Sequence, residues 1–169
     1  MITARDSIQK AEFFDEEENW GNLDMVHYRL IEVLDVYRKF LGSRIHLSPT
    51  ESAHAEVDKK EHPPKSWHYA IPGRNKFSRA VKVFPECDLY EAFIMALRFQ
   101  FTGIIIWPYA ENIDMGTTQE DTSRGALTLD LRTAPNFRVI QYVDKNGKYN
   151  YVNNVNDFEE LLKIIKPTL

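Results

Sequence analysis

The sequence predicts an α+β domain in which helices flank a mostly antiparallel sheet, with a hairpin and a helix at the C-terminal end. Two observations lead to this class. The predicted order of elements is helix, strands, helix, strands, hairpin and helix, which separates helices from strands instead of alternating them regularly. The segment Asp144-Lys145-Asn146-Gly147 is a strong hairpin turn signal between two short strands. A length of 169 residues suits one domain with a single core.

The N-terminal half is predicted to contain one long helix and one short strand. Residues 1–22 are expected to form a polar, irregular arm. A helix follows from Leu23 and is stopped by Gly42, because its apolar residues recur on one face: Leu23, Val26, Leu30, Leu34, Tyr37 and Leu41. A strand over Ile45–Leu47 comes next. Four of the eight prolines lie in residues 49–78, which are therefore predicted to be a long loop.

The C-terminal half is predicted to hold most of the sheet. A helix starting at Asp88, with Glu91 completing a capping box, and a final helix capped by Asn156 and Glu159 separate the strands. Residues 102–107 contain three consecutive isoleucines, which is typical of a central strand, and residues 126–132 alternate apolar with polar. The remaining predicted strands are 79–84, 138–142 and 149–152, and residues 109–124 are predicted to be a polar loop.

Composition excludes several function classes. The net charge of −4 gives no reason to expect binding to nucleic acid. No apolar run approaches the length of a membrane span, and the first residues lack the apolar core of a secretion signal. Cys87 is the single cysteine, so no internal disulfide can form and we expect a structural thiol in a reducing compartment.

Three segments occur in an order that is characteristic of one protein family. The first contains LDVYRKFLG at 34–42 and RIHLS at 44–48; the second contains SWH at 66–68 and RAVKVFP at 79–85; the third contains FTGIIIWP at 101–108 and LTLDLR at 127–132. The chain resembles the metal-dependent D-alanyl-D-alanine peptidases that share a fold with the hedgehog signalling domain, and most of all their phage-encoded branch. The resemblance covers about residues 23–135 and leaves residues 136–169 outside it, as a hairpin and helix expected to pack on the same domain.

The resemblance implies a zinc site formed by a His, an Asp and a second His, with an open position for water. His68 matches the first ligand, but Lys82 stands at the Asp position and Thr128 at the second His position. We therefore expect a relic site without metal, cofactor or catalytic residue. Its neighbours, by the same resemblance, are Ser66, Arg79, Asp130 and Arg132. A zinc site rebuilt from His54, His62 and His68 is disfavoured, because their spacing matches no compact zinc motif.

A lysine at a metal position has a consequence that can be tested. Period-two alternation puts Thr128 and Asp130 on one face of their strand, and it puts Lys82 on the same face as Ala80 and Phe84 in the other. The resemblance then implies that Lys82 and Asp130 approach the relic site near His68. A buried ammonium needs a partner or it loses its proton. We therefore predict that Lys82 points into the site and is balanced by Asp130 or another nearby carboxylate.

The resemblance thus favours a non-catalytic structural or binding module, a virion assembly component encoded by a phage or prophage and found in the virion or the host cytoplasm. Two alternatives stay open: an active zinc peptidoglycan peptidase with altered ligands, and a non-enzymatic binder of cell-wall peptides. The expected partners are protein subunits of a larger assembly. Residues 12–24 carry six acids and no base, residues 58–82 carry seven bases and two acids, and nearby aromatics could anchor a docked subunit: Phe13, Phe14, Trp20, Trp67, Tyr69 and Phe77.

Overall fold

The structure is a computed structural model that describes residues 1–48, 67–68, 70, 76–110, 125–133 and 137–166. These residues form a mixed α+β fold with helices packed against a six-stranded sheet. The helices are α1 (Ala4–Ile8), α2 (Tyr28–Leu41), α3 (Leu89–Ala96) and α4 (Val155–Ile165), and the strands are β1 (Ile45–Leu47), β2 (Ala80–Pro85), β3 (Gly103–Trp107), β4 (Ala126–Asp130), β5 (Val139–Val143) and β6 (Tyr149–Tyr151).

The sheet has the strand order β1-β2-β4-β3-β5-β6. Each neighbouring pair of strands is antiparallel except β3 and β5, which run parallel. The predicted α+β class with a mostly antiparallel sheet is therefore confirmed. The C-terminal hairpin is not separate from this sheet, because β5 bonds directly to β3 and extends its edge.

Helix α2 begins five residues later than the helical pattern predicts. Leu23–Met25 forms a single 3₁₀ turn, and α2 starts after His27, whose Nδ1 accepts a hydrogen bond from the backbone N–H of Arg29 at 3.2 Å. Gly42 ends the helix with φ at +67°, a conformation that glycine adopts without strain. The helix is tied to α3 by the Tyr37 hydroxyl, which donates to the carbonyl of Ala92 at 2.8 Å.

The expectation of an irregular, polar N-terminal arm is wrong for part of this segment. Helix α1 carries a capping box in which the side chains of Thr3 and Asp6 each accept from the other residue's backbone N–H. Further along, Phe14 and Trp20 are buried in the same core as α2. The Asp35 carboxylate holds the stretch between α1 and Phe14 by accepting from the backbone N–H groups of Glu12 and Phe13, at 3.0 and 2.8 Å. Isolated apolar residues without periodicity can fill a core, and a pattern search does not detect them.

The C-terminal turn forms as predicted, while the cap of α4 differs. The carboxylate of Asp144 accepts from the backbone N–H groups of Asn146 and Lys148, and Gly147 takes a positive φ of +77°. Helix α4 is capped by Asn154, not by the predicted Asn156, because the Asn154 side chain accepts from the N–H of Asp157. The helix packs Leu161 and Ile165 into the core.

The α3 cap also departs in detail: Asp88 occupies the N-cap position but its side chain makes no capping hydrogen bond. A different residue secures the far end of this helix. The guanidinium of Arg138 donates to the carbonyls of Leu97, Phe99 and Phe101 at 2.6–2.8 Å. Leu97 is the C-cap, so these bonds tie the end of α3 and the segment after it to the start of β5. Among the described residues, no helix is long and apolar enough to cross a membrane.

Candidate functional site

The central strands have two faces that differ in chemistry. We call the face that packs with the helices the inner face; it consists of Val81, Val83, Ile104, Ile106, Leu127 and Leu129, all in the hydrophobic core. Successive residues of a strand face opposite sides of the sheet, so the residues between these form the opposite, outer face. They are Lys82, Phe84, Gly103, Ile105, Trp107, Thr128 and Asp130. All the relic-site positions on β2 and β4 therefore fall on the outer face.

Two of the three positions that the resemblance assigns to metal ligands are direct neighbours. Lys82 on β2 and Thr128 on β4 are Cα partners in the antiparallel ladder, and Ala80 faces Asp130 in the same register. Residues directly opposite on one face of an antiparallel pair lie about 5 Å apart at Cβ. The strand pairing therefore brings these two side chains to one point on the outer face.

The third position, His68, lies beside the start of β2. The carbonyl of Trp67 accepts a hydrogen bond from the backbone N–H of Arg79 at 2.7 Å, which holds the His68 segment against that strand. The Nδ1 atom of His68 is buried. Arg79 also accepts at its carbonyl from the N–H of Leu131, so its backbone joins this segment to the end of β4. Ser66 lies outside the described residues.

Lys82 does not make the predicted ion pair with Asp130. Its ammonium nitrogen lies over the indole ring of Trp107, 4.0 Å from the ring centroid, and 5.9 Å from the ring centroid of Phe84. Within the described part of the chain, no carboxylate lies at ion-pairing distance from Lys82. Burial lowers the pKa of this ammonium below its usual range, because the charged form loses contact with water.

Asp130 is instead paired with Arg132, two residues further along. The carboxylate is 2% exposed and accepts from Nε of Arg132 at 2.8 Å and from a second guanidinium nitrogen. This bidentate pair sits directly on the backbone of β3 at Gly103. A Cβ atom at that position would overlap both the Asp130 carboxylate and the Arg132 guanidinium. The ion pair therefore requires a glycine at position 103. A glycine inside a strand often marks a place where another group approaches the backbone closely, so the sequence did contain a signal for this contact.

Thr128 is almost fully buried, and its hydroxyl oxygen accepts from the indole N–H of Trp107 at 2.9 Å. The same indole packs edge-on against Tyr149 of the hairpin, with ring centroids 5.7 Å apart. Trp107 thus touches both Lys82 and Thr128, and it is the residue that organises this part of the outer face. Sequence reasoning missed it, although strand alternation places Trp107 on the face of Gly103 and Ile105.

The donor set does not fit zinc. Lys82 offers an ammonium, the Thr128 hydroxyl accepts from Trp107, and both oxygens of Asp130 accept from Arg132. Within the ranges that the structure covers, no three His, Cys, Asp or Glu side chains are grouped so as to hold a metal ion. His54 and His62 lie outside those ranges.

The acidic N-terminal segment is partly neutralised in space. Glu12 pairs with Lys39 at 2.7 Å, and Arg5 pairs with Glu16 at 2.7 Å and Asp24 at 2.6 Å. Phe14 and Trp20 are buried in the chain's own core, so they are not the exposed anchors that subunit docking would need. Tyr69 and most of the basic residues in 58–82 lie outside the described residues.

No family model matches the chain, and neither a search of curated proteins nor a search of solved structures found a similar one.

Proposed function

We propose that the chain is a non-catalytic, metal-free relative of the zinc D,D-peptidases that acts as a binding or structural module, encoded by a phage or prophage as a virion assembly component. One observation carries the proposal: Lys82 and Thr128, which stand where that family has two zinc ligands, face each other across β2 and β4. The order of the motifs in the sequence suggests the family. Two ligands of one metal ion must lie close together, and the register of β2 and β4 brings these two positions together.

Electrostatics supports the metal-free part of the proposal. An ammonium about 4 Å from a dication would be repelled by several kcal/mol even at an effective dielectric of about 20. Lys82 is held close to this point by its contact with Trp107, because its ammonium lies over the indole face. A threonine hydroxyl is a weak zinc ligand at neutral pH, and the one at Thr128 already accepts a hydrogen bond.

The proposed partners are protein subunits of a larger assembly. Fewer acids of residues 12–24 are available to a partner than the sequence suggests, because Glu12, Glu16 and Asp24 form salt bridges within the chain. Asp15, Glu17 and Glu18 are the acids of this segment that no salt bridge engages among the described residues. They are the part of the segment that we propose meets a partner.

Metal analysis tests the metal-free claim. We expect the purified wild-type chain to carry substoichiometric zinc and to leave D-alanyl-D-alanine peptides uncleaved. The double variant Lys82→Asp with Thr128→His should bind zinc more tightly, because it places an Asp and a His at the two vacated ligand positions. Recovery of peptidase activity is not required, since the residues that orient the ligands also matter.

A matched control is Lys163→Asp with Thr133→His, which makes the same exchanges at two exposed residues away from the Lys82–Thr128 pair. This variant should leave zinc affinity at the wild-type level. Tight, stoichiometric zinc in the wild-type chain would refute the proposal and favour the alternative of a zinc peptidase with altered ligands.

A further inference from the structure

The ammonium of Lys82 has an unusual set of neighbours. An ammonium carries three N–H donors and normally makes several hydrogen bonds when it leaves water. Here its contacts are the faces of two aromatic rings, Trp107 and Phe84. Across the described residues, no oxygen accepts a hydrogen bond from this nitrogen. The charge is therefore stabilised on one side by π systems alone.

Two described carboxylates on or beside the same strands are engaged elsewhere. Asp130, on the same face of β4, is held by Arg132 in a bidentate pair. Glu86, just beyond the end of β2, lies 2.7 Å from Nε2 of His46. Neither of these acids can neutralise Lys82 without giving up its present partner.

The aromatic rings cover only one side of this charge. The Lys82 side chain is partly exposed, so its ammonium still reaches water. An anion that replaced this water would meet a cation already held against an aromatic ring. A charge-assisted hydrogen bond is about twice as strong as a neutral one, and it strengthens further beside low-dielectric aromatic walls.

A second donor lies beside the ammonium. The Thr128 oxygen accepts from the indole N–H of Trp107, which leaves the hydroxyl proton to be donated. Lys82 and Thr128 are cross-strand partners and both touch the same indole, so their donors converge on one point. Two converging donors suit the two oxygens of a carboxylate, and the partly exposed indole of Trp107 offers apolar surface for the rest of the ligand.

We propose that Lys82, Thr128 and Trp107 form a binding site for a small organic carboxylate with an apolar or planar body. Lys82 supplies the charge, the Thr128 hydroxyl supplies a second hydrogen bond, and Trp107 fixes both while packing against the ligand. The inference concerns the same site as the proposed function and rests on the absence of a metal there.

The test uses the full chain labelled with ¹⁵N and follows the indole N–H signal of Trp107, identified by its loss in Trp107→Phe. Benzoate is the probe, benzamide is its neutral counterpart of the same shape, and inorganic phosphate is the tetrahedral comparison. We expect a saturable shift with benzoate and a Kd on the order of millimolar, as one charged contact and a small apolar body allow. Benzamide and phosphate should bind at least about tenfold more weakly, a difference of about 1.4 kcal/mol.

Three variants separate a ligand role for Lys82 from a structural one. Lys82→Met keeps the length of the side chain without its charge and should weaken benzoate binding at least tenfold, while Lys82→Arg should retain it. Lys163→Met removes an exposed lysine of α4 and should bind benzoate like the wild type. Equal shifts with benzoate and benzamide, undiminished binding in Lys82→Met, or no saturable shift in the wild type would each overturn the proposal.

Zinc content measured on the same samples keeps the two proposals apart. A metal-free chain that ignores benzoate refutes the carboxylate site and leaves the proposed function standing. Stoichiometric zinc, with benzoate binding that a chelator abolishes, refutes the proposed function instead, because the carboxylate would then be bound by the metal.

Discussion

The two faces of strands β2, β4 and β3 are built on opposite principles, although both are buried at β4. On the inner face, Leu127 and Leu129 meet other apolar side chains in the core. On the outer face, Thr128 and Asp130 are 4% and 2% exposed, so they too have left water. The inner face is stabilised by area removed from water, while each polar group of the outer face needs its own partner.

The difference shows which contacts on the outer face are determined by the fold and which are left for a ligand. Asp130 is satisfied by Arg132, and Thr128 accepts from Trp107. Lys82 has aromatic contacts and no acceptor among the described residues. Two of the three polar side chains on the outer face thus have hydrogen-bonding partners within the chain. Lys82 is therefore the position where binding of an external group would add the most stability.

The largest effect is expected on the inner face. Leu129→Ala should lower the free energy of unfolding by about 3 kcal/mol, through lost burial and the cavity that remains. Leu129 is fully buried between β2 and β3. Urea denaturation measures the change, with Val155→Ala on the exposed surface of α4 as a control expected to change stability by less than about 0.5 kcal/mol. Similar losses in both variants would mean that this face is not the principal core.

The next effect tests whether the outer face is as closely packed as its burial suggests. Gly103→Ala should cost about 2 kcal/mol, because the added methyl group overlaps the Asp130–Arg132 pair. The cost should fall when Asp130 is already alanine, since the carboxylate that it meets is gone. A double-mutant cycle by urea denaturation gives this coupling. Strictly additive losses would show that the strain at Gly103 comes from elsewhere.

Strand alternation was enough to predict the outer face as a set of positions, but not the partners within it. The sequence predicted that Lys82, Thr128 and Asp130 lie on the site-facing sides of β2 and β4, and the register agrees. It also suggested Asp130 as the partner of Lys82, which is wrong. The choice between Arg132 and Lys82 depends on the paths of two long side chains and on the space left by Gly103, which periodicity does not contain.

The N-terminal segment illustrates the same limit for apolar residues. Its strong acidic bias led to the prediction of an irregular arm, yet Phe14 and Trp20 are core residues. Single aromatic residues separated by charged ones produce no helical or strand period, so their burial becomes apparent once the fold is known. The elements with strong local signals were predicted well: α2 ends at Gly42, and the turn at Asp144–Gly147 joins β5 to β6.

The smallest expected effect on stability has the opposite sign, because this variant of the outer face should be more stable than the wild type. Removing the charge of Lys82 in Lys82→Met should raise the free energy of unfolding at neutral pH by about 0.5 kcal/mol, a modest gain because solvent still reaches part of the side chain. The reason is desolvation: burial lowers the pKa of Lys82 in the folded chain, while the unfolded chain keeps its ordinary value near 10.5.

Between these two pKa values unfolding takes up a proton, so wild-type stability rises with pH through that window. Below the window both states are charged and the full penalty remains; above it both are neutral and the penalty disappears. The advantage of Lys82→Met should therefore be constant near pH 7 and shrink as the pH approaches 10.5.

Urea denaturation across this range, in buffers free of carboxylates, measures the difference, and Lys163→Met should show no such trend. A Lys82→Met variant that is less stable than the wild type, with a gap that does not close at high pH, would mean that the contact with Trp107 outweighs desolvation and that Lys82 is a structural residue of the outer face.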